Sequence, residues 1–359
     1  MILAREVPLT VVQRRMCFNQ DIKAITPKAG IRNDFLIAWF FANRSAILGI
    51  VDEAGHGTKR IQTDRLLGLP VSLPSELEQR RIASILGAYD DLIEVNLQRI
   101  ALLEQMAQRL FEEWFVHFRF PGHESCKMKE TPEGLAPRHW DRLPVGALLE
   151  YVIGGTWGSD SSEGKNTEAC SVLRGTDFPG VNRGSFREMP RRFVPKTTLS
   201  KRLLRNSDIV LEVSGGSKDQ PVGRAVFVTD QLVKAVGGAF TFASFCRLMR
   251  VNAHLASPHQ LFWHLDHMYR TRSIEAYQTQ STGLRNFKFK VFAEKEILIS
   301  PPQSVRDRFD SICAPLMGSI ANLSLQIDNL RSSRDLLLPR LISRELNITL
   351  AERELEAVA

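Results

Sequence analysis

The chain repeats itself, and each repeat closes on a helix too long to stand alone. Ile93, Asn96, Ile100, Leu103, Ala107, Leu110 and Trp114 follow one another at alternating spacings of three and four, the spacing of a coiled-coil seam. Ile320, Leu323, Ile327, Leu330, Arg334, Leu337 and Leu341 repeat the pattern, each 227 residues beyond its counterpart. The match continues upstream, with Ile82 against Phe309, Ile85 against Ile312 and Pro74 against Pro301. A short apolar run precedes each proline, Leu69 to Leu73 in one copy and Ile297 to Ser300 in the other. Further back, Gly57-Thr58-Lys59-Arg60 roughly matches Thr282-Gly283-Leu284-Arg285. An offset held over so many positions marks an internal repeat, and the repeat controls the architecture.

Each rod spans about 40 residues, or roughly 60 Å at the helical rise. Pro74-Ser75-Glu76 is a helix start: a proline, a serine N-cap and acids in the first turn. A long apolar stripe has to be buried. The two rods are expected to bury theirs against each other as an antiparallel coiled coil, with Asn96 and Arg334 as weak points or register markers in the seam. Packing of each rod on its own domain is the alternative.

The globular parts read as mixed α and β. Short apolar runs such as Ile209-Val210-Leu211 and Ala225-Val226-Phe227-Val228 alternate with Gly154-Gly155, Gly215-Gly216 and Gly237-Gly238, and His259 to Tyr269 reads as a helix. The expected organisation is a partial domain over 1–73, a rod over 74–118, a linker over 119–140, a complete domain over 141–300, a rod over 301–345 and a tail over 346–359. By the repeat offset the first unit is short of about 86 residues at its start.

Charge separates these regions. Residues 141–300 hold 22 Lys/Arg against 15 Asp/Glu, whereas 74–116 hold 4 against 8. Within 174–205 lie Arg174, Arg183, Arg187, Arg191, Arg192, Lys196, Lys201, Arg202 and Arg205, with two acids. Such a cluster attracts a polyanion, most often nucleic acid; a solvated basic surface is the plain alternative.

Several chemistries have no support. The five cysteines include no CxxC pair, which argues against zinc ribbons, thiol redox chemistry and a disulfide framework. Glu163-Gly164-Lys165-Asn166 lacks the first glycine and the hydroxyl residue of a P-loop, and Gly215-Gly216-Ser217-Lys218 reads as a turn. Ser300-Pro301-Pro302-Gln303 has the prolines of an amino-methyltransferase motif without its acid, amide or aromatic, and it leads into a rod. His264 and His267 share a helix face, but with His254 and His259 nearby they still lack a third ligand of convincing spacing, so no metal is expected. Cys246 reads as a small buried strand residue. Phe35 to Val51 is broken by Asn43 and Arg44 and is too short to span a bilayer. No secretory h-region is visible. The expectation is a reduced, cytoplasmic protein.

The order globular–rod–globular–rod, the Leu73-Pro74-Ser75-Glu76-Leu77-Glu78-Gln79-Arg80-Arg81-Ile82 start of the first rod and the Ser333-Arg334-Asp335-Leu336-Leu337-Leu338-Pro339-Arg340-Leu341-Ile342-Ser343-Arg344-Glu345-Leu346 close of the second resemble the DNA-specificity subunit of type I restriction–modification systems. Weaker echoes are Gln98 to Phe115, Leu135 to Leu143 and Asn206 to Leu211. The resemblance implies an α+β chain in which target recognition domains alternate with two long helices that pair antiparallel. It implies that each domain reads half of a bipartite target in double-stranded DNA, that the rods set the spacing, and that they dock modification subunits, which hold S-adenosylmethionine and methylate adenine. Motor–nuclease subunits would join for cleavage. This chain would carry no cofactor and no catalysis.

Residues expected at the DNA are Arg174, Arg183, Arg187, Arg191, Arg192, Lys196, Lys218, Arg224, Arg285, Lys288 and Lys290. The short first unit departs from the family, and weak or absent reading of the first half-site is expected. The competing expectation is a truncated subunit that occupies modification subunits as a scaffold or competitor without reading DNA.

Overall fold

The computed structural model describes the chain except residues 1–8, 10–11, 13, 20–21, 55–57, 133, 217–219, 282–283 and 359. In chain order it holds α1 (Asn33–Ala42), α2 (Arg44–Gly49), the hairpin β1 (Val51–Ala54) and β2 (Thr58–Ile61), α3 (Thr63–Leu67) and the long α4 (Glu76–Phe111), which closes on a π-turn at Glu112–Val116. Then come β3 (Met128–Thr131), β4 (Gly134–Pro137), β5 (Asp141–Pro144), β6 (Leu149–Gly154), β7 (Glu168–Leu173), α5 (Phe178–Val181), β8 (Arg191–Val194) and α6 (Lys196–Arg202). Next are β9 (Ile209–Glu212), β10 (Ser214–Gly215), β11 (Ala225–Phe227), α7 (Asp230–Val236), β12 (Ala239–Phe242), β13 (Cys246–Val251) and α8 (Pro258–Arg270). The chain finishes with β14 (Gln278–Ser281), β15 (Leu284–Phe287), α9 (Phe289–Lys295), β16 (Ile297–Ser300), the long α10 (Gln303–Ile342) and α11 (Ile348–Val358).

The repeat is visible in these boundaries. α4 begins at Glu76 and α10 at Gln303, 227 residues apart. β1 and β14 begin with the same offset, and α1, the hairpin and α3 have α8, a hairpin and α9 as counterparts. A capping box starts α4: the Ser75 hydroxyl accepts from the Glu78 amide (3.3 Å), and the Glu78 carboxylate accepts from the Ser75 amide (2.9 Å). The prolines at 301 and 302 lead into α10, as expected.

The chain forms two compact units, residues 1–95 with 329–359 and residues 96–328, and α4 and α10 contribute to each. In the first unit Asp90 pairs with Arg334 (2.5 Å) while the Arg344 guanidinium donates to the Leu73 carbonyl, so the helices run antiparallel. In the second unit Asn96 meets Gln326, and Phe115 lies edge-on to Phe309 at 4.8 Å, again antiparallel. The seam residues Ile93, Asn96, Ile100, Ile320, Ile327, Leu330 and Leu337 are buried, and Leu103, Leu110 and Leu323 are half-buried. At the end of α4 the fully packed residue is Phe111 rather than Leu110. A straight helix drifts from a strict 3.5 repeat, so a neighbour takes over the seam after several turns.

The expected linker is structured. β3 and β4 form a hairpin, and Phe120 and Trp140 are buried in the main core. The expected tail contains α11, which buries Ala351 and joins the first unit through Arg81 and Glu352 at 2.7 Å. Of these corrections, the first was hidden because the aromatic partners of Trp140, Phe115, Phe118 and Phe120, lie across a proline- and glycine-rich stretch; the second because the tie of α11 to the rod is made with Arg81, far away in sequence.

In the second unit a four-stranded antiparallel sheet, β11-β9-β13-β6, carries a core on each face. Along β13, Met249 and Val251 enter the larger core with α8 and α9, and Cys246 and Leu248 enter the smaller one. The period of two in a strand makes this division. Burial pushes the Cys246 thiol up to about 12, which makes it inert filling. A second sheet, β12-β7-β8, stands beside it, and β10 joins β15 and β14 in a third. Ser257 caps α8 by accepting from the Gln260 amide (3.1 Å), with Pro258 in its first turn.

Candidate nucleic-acid interface

One edge of the four-stranded sheet gathers most of the loops. Antiparallel pairing brings the end of β6 (Gly154), the start of β13 (Cys246) and the end of β9 (Glu212) to the same edge. The connections 155–167, 213–224 and 243–245 leave from there. Two glycines let the first of them lie flat. A Cβ at Gly155 would stand 2.0 Å from the Ala243 carbonyl oxygen, and one at Gly158 2.5 Å from that of Phe193. On these loops Trp157 is 40% exposed and Phe245 58% exposed. β10 carries the same edge to the β14–β15 hairpin, where Ser214 pairs with Asn286 and Gly215 with Arg285.

The arginines named from sequence fall into two groups. Five are tied to carboxylates of the fold. Arg174 grips Asp177 (2.7 Å) and closes a turn. Arg187 meets Asp328 on α10 (2.5 Å). Arg224 holds Glu212 through two bonds of 2.9 and 2.6 Å, with the Glu212 side chain buried. Arg285 meets Glu275 (3.4 Å). Arg192 is nearly buried, pairs with Asp160 and lies 4.6 Å over the Trp157 ring, fixing that indole from beneath. Arg183 lines a cleft with Glu104 and Asp266. Arg191, Lys196, Lys288 and Lys290 are exposed, and Lys218 lies outside the described residues. Lys290 comes within 4.0 Å of the exposed Glu294. These exposed cations are the ones most available to phosphates, because Arg174, Arg187 and Arg224 would each leave a buried carboxylate uncompensated.

A residue that the sequence reading passed over is Arg247. It sits on β13 in the row of Met249 and Val251, with its guanidinium 4.5 Å over the Phe289 ring. Its Nε is shut from solvent without a hydrogen-bond partner, and it has no ion pair among the described residues. Arg250, three positions on, has both: it donates to Asp208 through bonds of 2.7 and 2.8 Å, and Asp208 is wholly buried. The electrostatics differ accordingly. The hydrogen bonds that Arg250 donates to Asp208 hold it above its ordinary value, and burial pushes Arg247 below its own. The available signal was an arginine at an inward position of an otherwise apolar strand, Cys246-Arg247-Leu248-Met249-Arg250-Val251.

The histidines belong to the fold. His259 meets Asp310 (3.0 Å) and stacks on Phe227, His264 meets Glu296 (2.8 Å), and His267 meets Glu112 (3.3 Å). Among the described residues no group of three His, Cys, Asp or Glu has metal-site geometry. No helix is long and apolar enough to cross a membrane among them.

Comparison with known proteins gives a consistent set. The family described as type I restriction modification DNA specificity domain matches residues 9–105. The chain is 24% identical over 344 residues to the MjaIX specificity subunit of a type I restriction enzyme from Methanocaldococcus jannaschii, covering 95% of this chain and 75% of that one. It is 35% identical over 97 residues to the HindI specificity subunit of Haemophilus influenzae, covering 26% and 21%. Among solved structures it is similar to a type I restriction–modification S subunit from M. genitalium, with a TM-score of 0.48 and 13% identity over 87% of this chain and 73% of that one. The HsdS subunit of Thermoanaerobacter tengcongensis gives a TM-score of 0.36 and 16% identity over 87% and 69%.

Proposed function

We propose that this chain, which resembles the specificity subunits of type I restriction–modification systems along nearly its whole length, chooses the DNA sequence on which such a system acts. It does so as a non-catalytic component. The observation that carries the reading is the repeat made physical: two helices starting 227 residues apart, antiparallel within each unit, each preceded by the same helix–hairpin–helix segment. Antiparallel rods in one chain supply an approximate two-fold, the symmetry needed to present two recognition elements to the two strands of a duplex.

On this reading the second unit reads one half of a bipartite target in double-stranded DNA. Exposed Arg191, Lys196, Lys288 and Lys290 meet phosphates and set the register. Polar side chains of the edge loops, beside Trp157 and Phe245, read base edges. The rods fix the distance between half-sites and dock methyltransferase subunits, and motor–nuclease subunits can join them. This chain holds no cofactor; S-adenosylmethionine is bound by the modification subunits.

The test is co-expression of the full chain with type I modification subunits, purification of the complex, and sequencing of methylated adenines after incubation with S-adenosylmethionine and random duplex DNA. Methylation confined to one two-part sequence is expected. Failure to form the complex, or methylation without sequence preference, would overturn the reading. A complex that forms and leaves all DNA unmethylated would favour the scaffold or competitor role.

A further inference from the structure

We infer that Arg247 is a phosphate-receiving residue of the DNA surface, its charge left unpaired by the fold so that the ligand can supply the anion. The inference rests on the reading of the second unit as a DNA-reading domain. Three observations carry it.

The first is the contrast among arginines. Arg174, Arg187, Arg192, Arg224, Arg250 and Arg285 each face a carboxylate of the fold. Arg247 faces none among the described residues, although its Nε is sealed from water. A buried guanidinium N–H without a partner costs stability; Arg285 also has such an Nε but keeps Glu275 beside it, whereas Arg247 has no carboxylate among the described residues to offset the cost.

The second is room. In the sheet Arg247 has Leu211 on one side and Gly154 on the other. Cross-strand partners point to the same face. A Cβ built at Gly154 meets nothing within 4 Å. The position across the strand from Arg247, on the same face of the sheet, is therefore open, at the edge where the loops gather.

The third is the surroundings. Phe289 holds the guanidinium plane from below, and exposed Lys288 and Lys290 flank that ring in sequence. A cation–π contact satisfies one face of the guanidinium and leaves its N–H edge for an oxyanion. A guanidinium held 4.5 Å from the Phe289 ring is kept against the protein, where a protruding DNA phosphate meets it more readily than a base edge inside a groove. The partner is therefore backbone, and the contact carries no sequence information of its own.

The experiment compares the full chain with its Arg247→Met and Gly154→Leu variants. Duplex binding is followed by fluorescence anisotropy across a salt series, with specific and scrambled sequences, and each variant is melted without DNA. Arg247→Met should weaken binding about tenfold or more on both sequences, the scale of one charge-assisted hydrogen bond. It should reduce the slope of log affinity against log salt by about 1. It should also melt higher than the parent, because the unpaired charge is gone. Gly154→Leu keeps the arginine, fills the open position, and should reproduce the binding loss. An unchanged salt slope, a loss confined to the specific sequence, or a lower melting temperature for Arg247→Met would overturn the inference while leaving the DNA-reading domain standing. A parent chain that ignores duplex DNA at low salt would overturn both.

Discussion

The segment from α1 into α4 and the segment from α8 into α10 share a helix, a hairpin, a short helix and a rod in the same order, yet they are stabilised differently. Both tie the turn before their first helix to the rod through one polar side chain at the same repeat position. In the first copy the Gln79 amide donates to the Gly30 and Pro74 carbonyls (2.9 and 3.0 Å) and its oxygen accepts from the Arg32 amide (2.9 Å). In the second the Arg306 guanidinium donates to the carbonyls of Leu255 (2.7 Å) and His254 (2.9 Å). Elsewhere the copies part. Ile85 is 2% exposed, and its counterpart Ile312 is 40% exposed. Ile297–Ser300 pairs with β5, whereas residues 69–73 form no strand among the described residues. The repeat preserves what joins segment to rod, and varies where one copy finds strand partners: β5 for β16, and β10 for β15, which makes that hairpin part of a three-stranded sheet against two strands in the first copy.

The sharpest way to break that comparison is at the seam. Ile100 and Ile327 are equivalent by the repeat and almost wholly buried. Ile100→Ala and Ile327→Ala should each cost about 3–4 kcal/mol, the transfer and cavity terms of a lost side chain. Urea denaturation of the full chain measures both. Leu102→Ala, at a position 60% exposed, should stay within about 0.5 kcal/mol. If one isoleucine proved as silent as Leu102, the two rods would not share a seam energetically, whatever their sequences share.

A smaller effect separates the tethers. Gln79 is buried and makes three bonds, so Gln79→Ala should cost about 2 kcal/mol by stranding backbone groups away from water. Arg306→Ala should cost about 1 kcal/mol, because the carbonyls it leaves are nearer solvent. Thermal melts of the pair rank them. The reverse order would show that the second copy depends on its tether more than its larger sheet implies.

Much of the rod architecture was legible because it is periodic and local. A 3.5 spacing repeated at a fixed offset survives divergence, and Ser75-x-x-Glu78 is a complete N-cap within four residues. The candidate interface was legible only as a concentration of charge. Several arginines are spoken for by partners far along the chain, Asp328 for Arg187 and Asp208 for Arg250. No window of sequence contains those pairs. Arg247 is the converse case, since its significance lies in the absence of such a partner, and only three-dimensional structure shows it. The tail helix α11 was missed for a related reason, since its tie to Arg81 spans more than two hundred residues, and Trp140 because its aromatic partners Phe115, Phe118 and Phe120 lie on the far side of a proline- and glycine-rich stretch.

The polar ladder on α4 sharpens the comparison of the two rods. Glu104, Gln108 and Glu112 fall at successive i, i+4 positions on one face. They meet Asn182 (3.3 Å), Asp266 (3.3 Å) and Arg270 (2.9 Å) of the second unit. Their counterparts on α10 are Arg331, Asp335 and Pro339, so the ladder belongs to one rod alone. Burial raises the carboxyl of Glu104 above its ordinary value, and that of Asp266 likewise, despite Arg183 and Arg270 nearby. An acid whose folded pKa exceeds its unfolded one opposes folding once it is ionised, and the opposition fades as pH falls towards the unfolded value. Glu104→Gln keeps the hydrogen-bonding shape without the charge. It should therefore raise the melting temperature by a few degrees at most at pH 7.5, with the gain shrinking towards zero near pH 4.5. A gain for Glu104→Gln that persists undiminished at low pH would mean that the ladder is held by packing rather than charge.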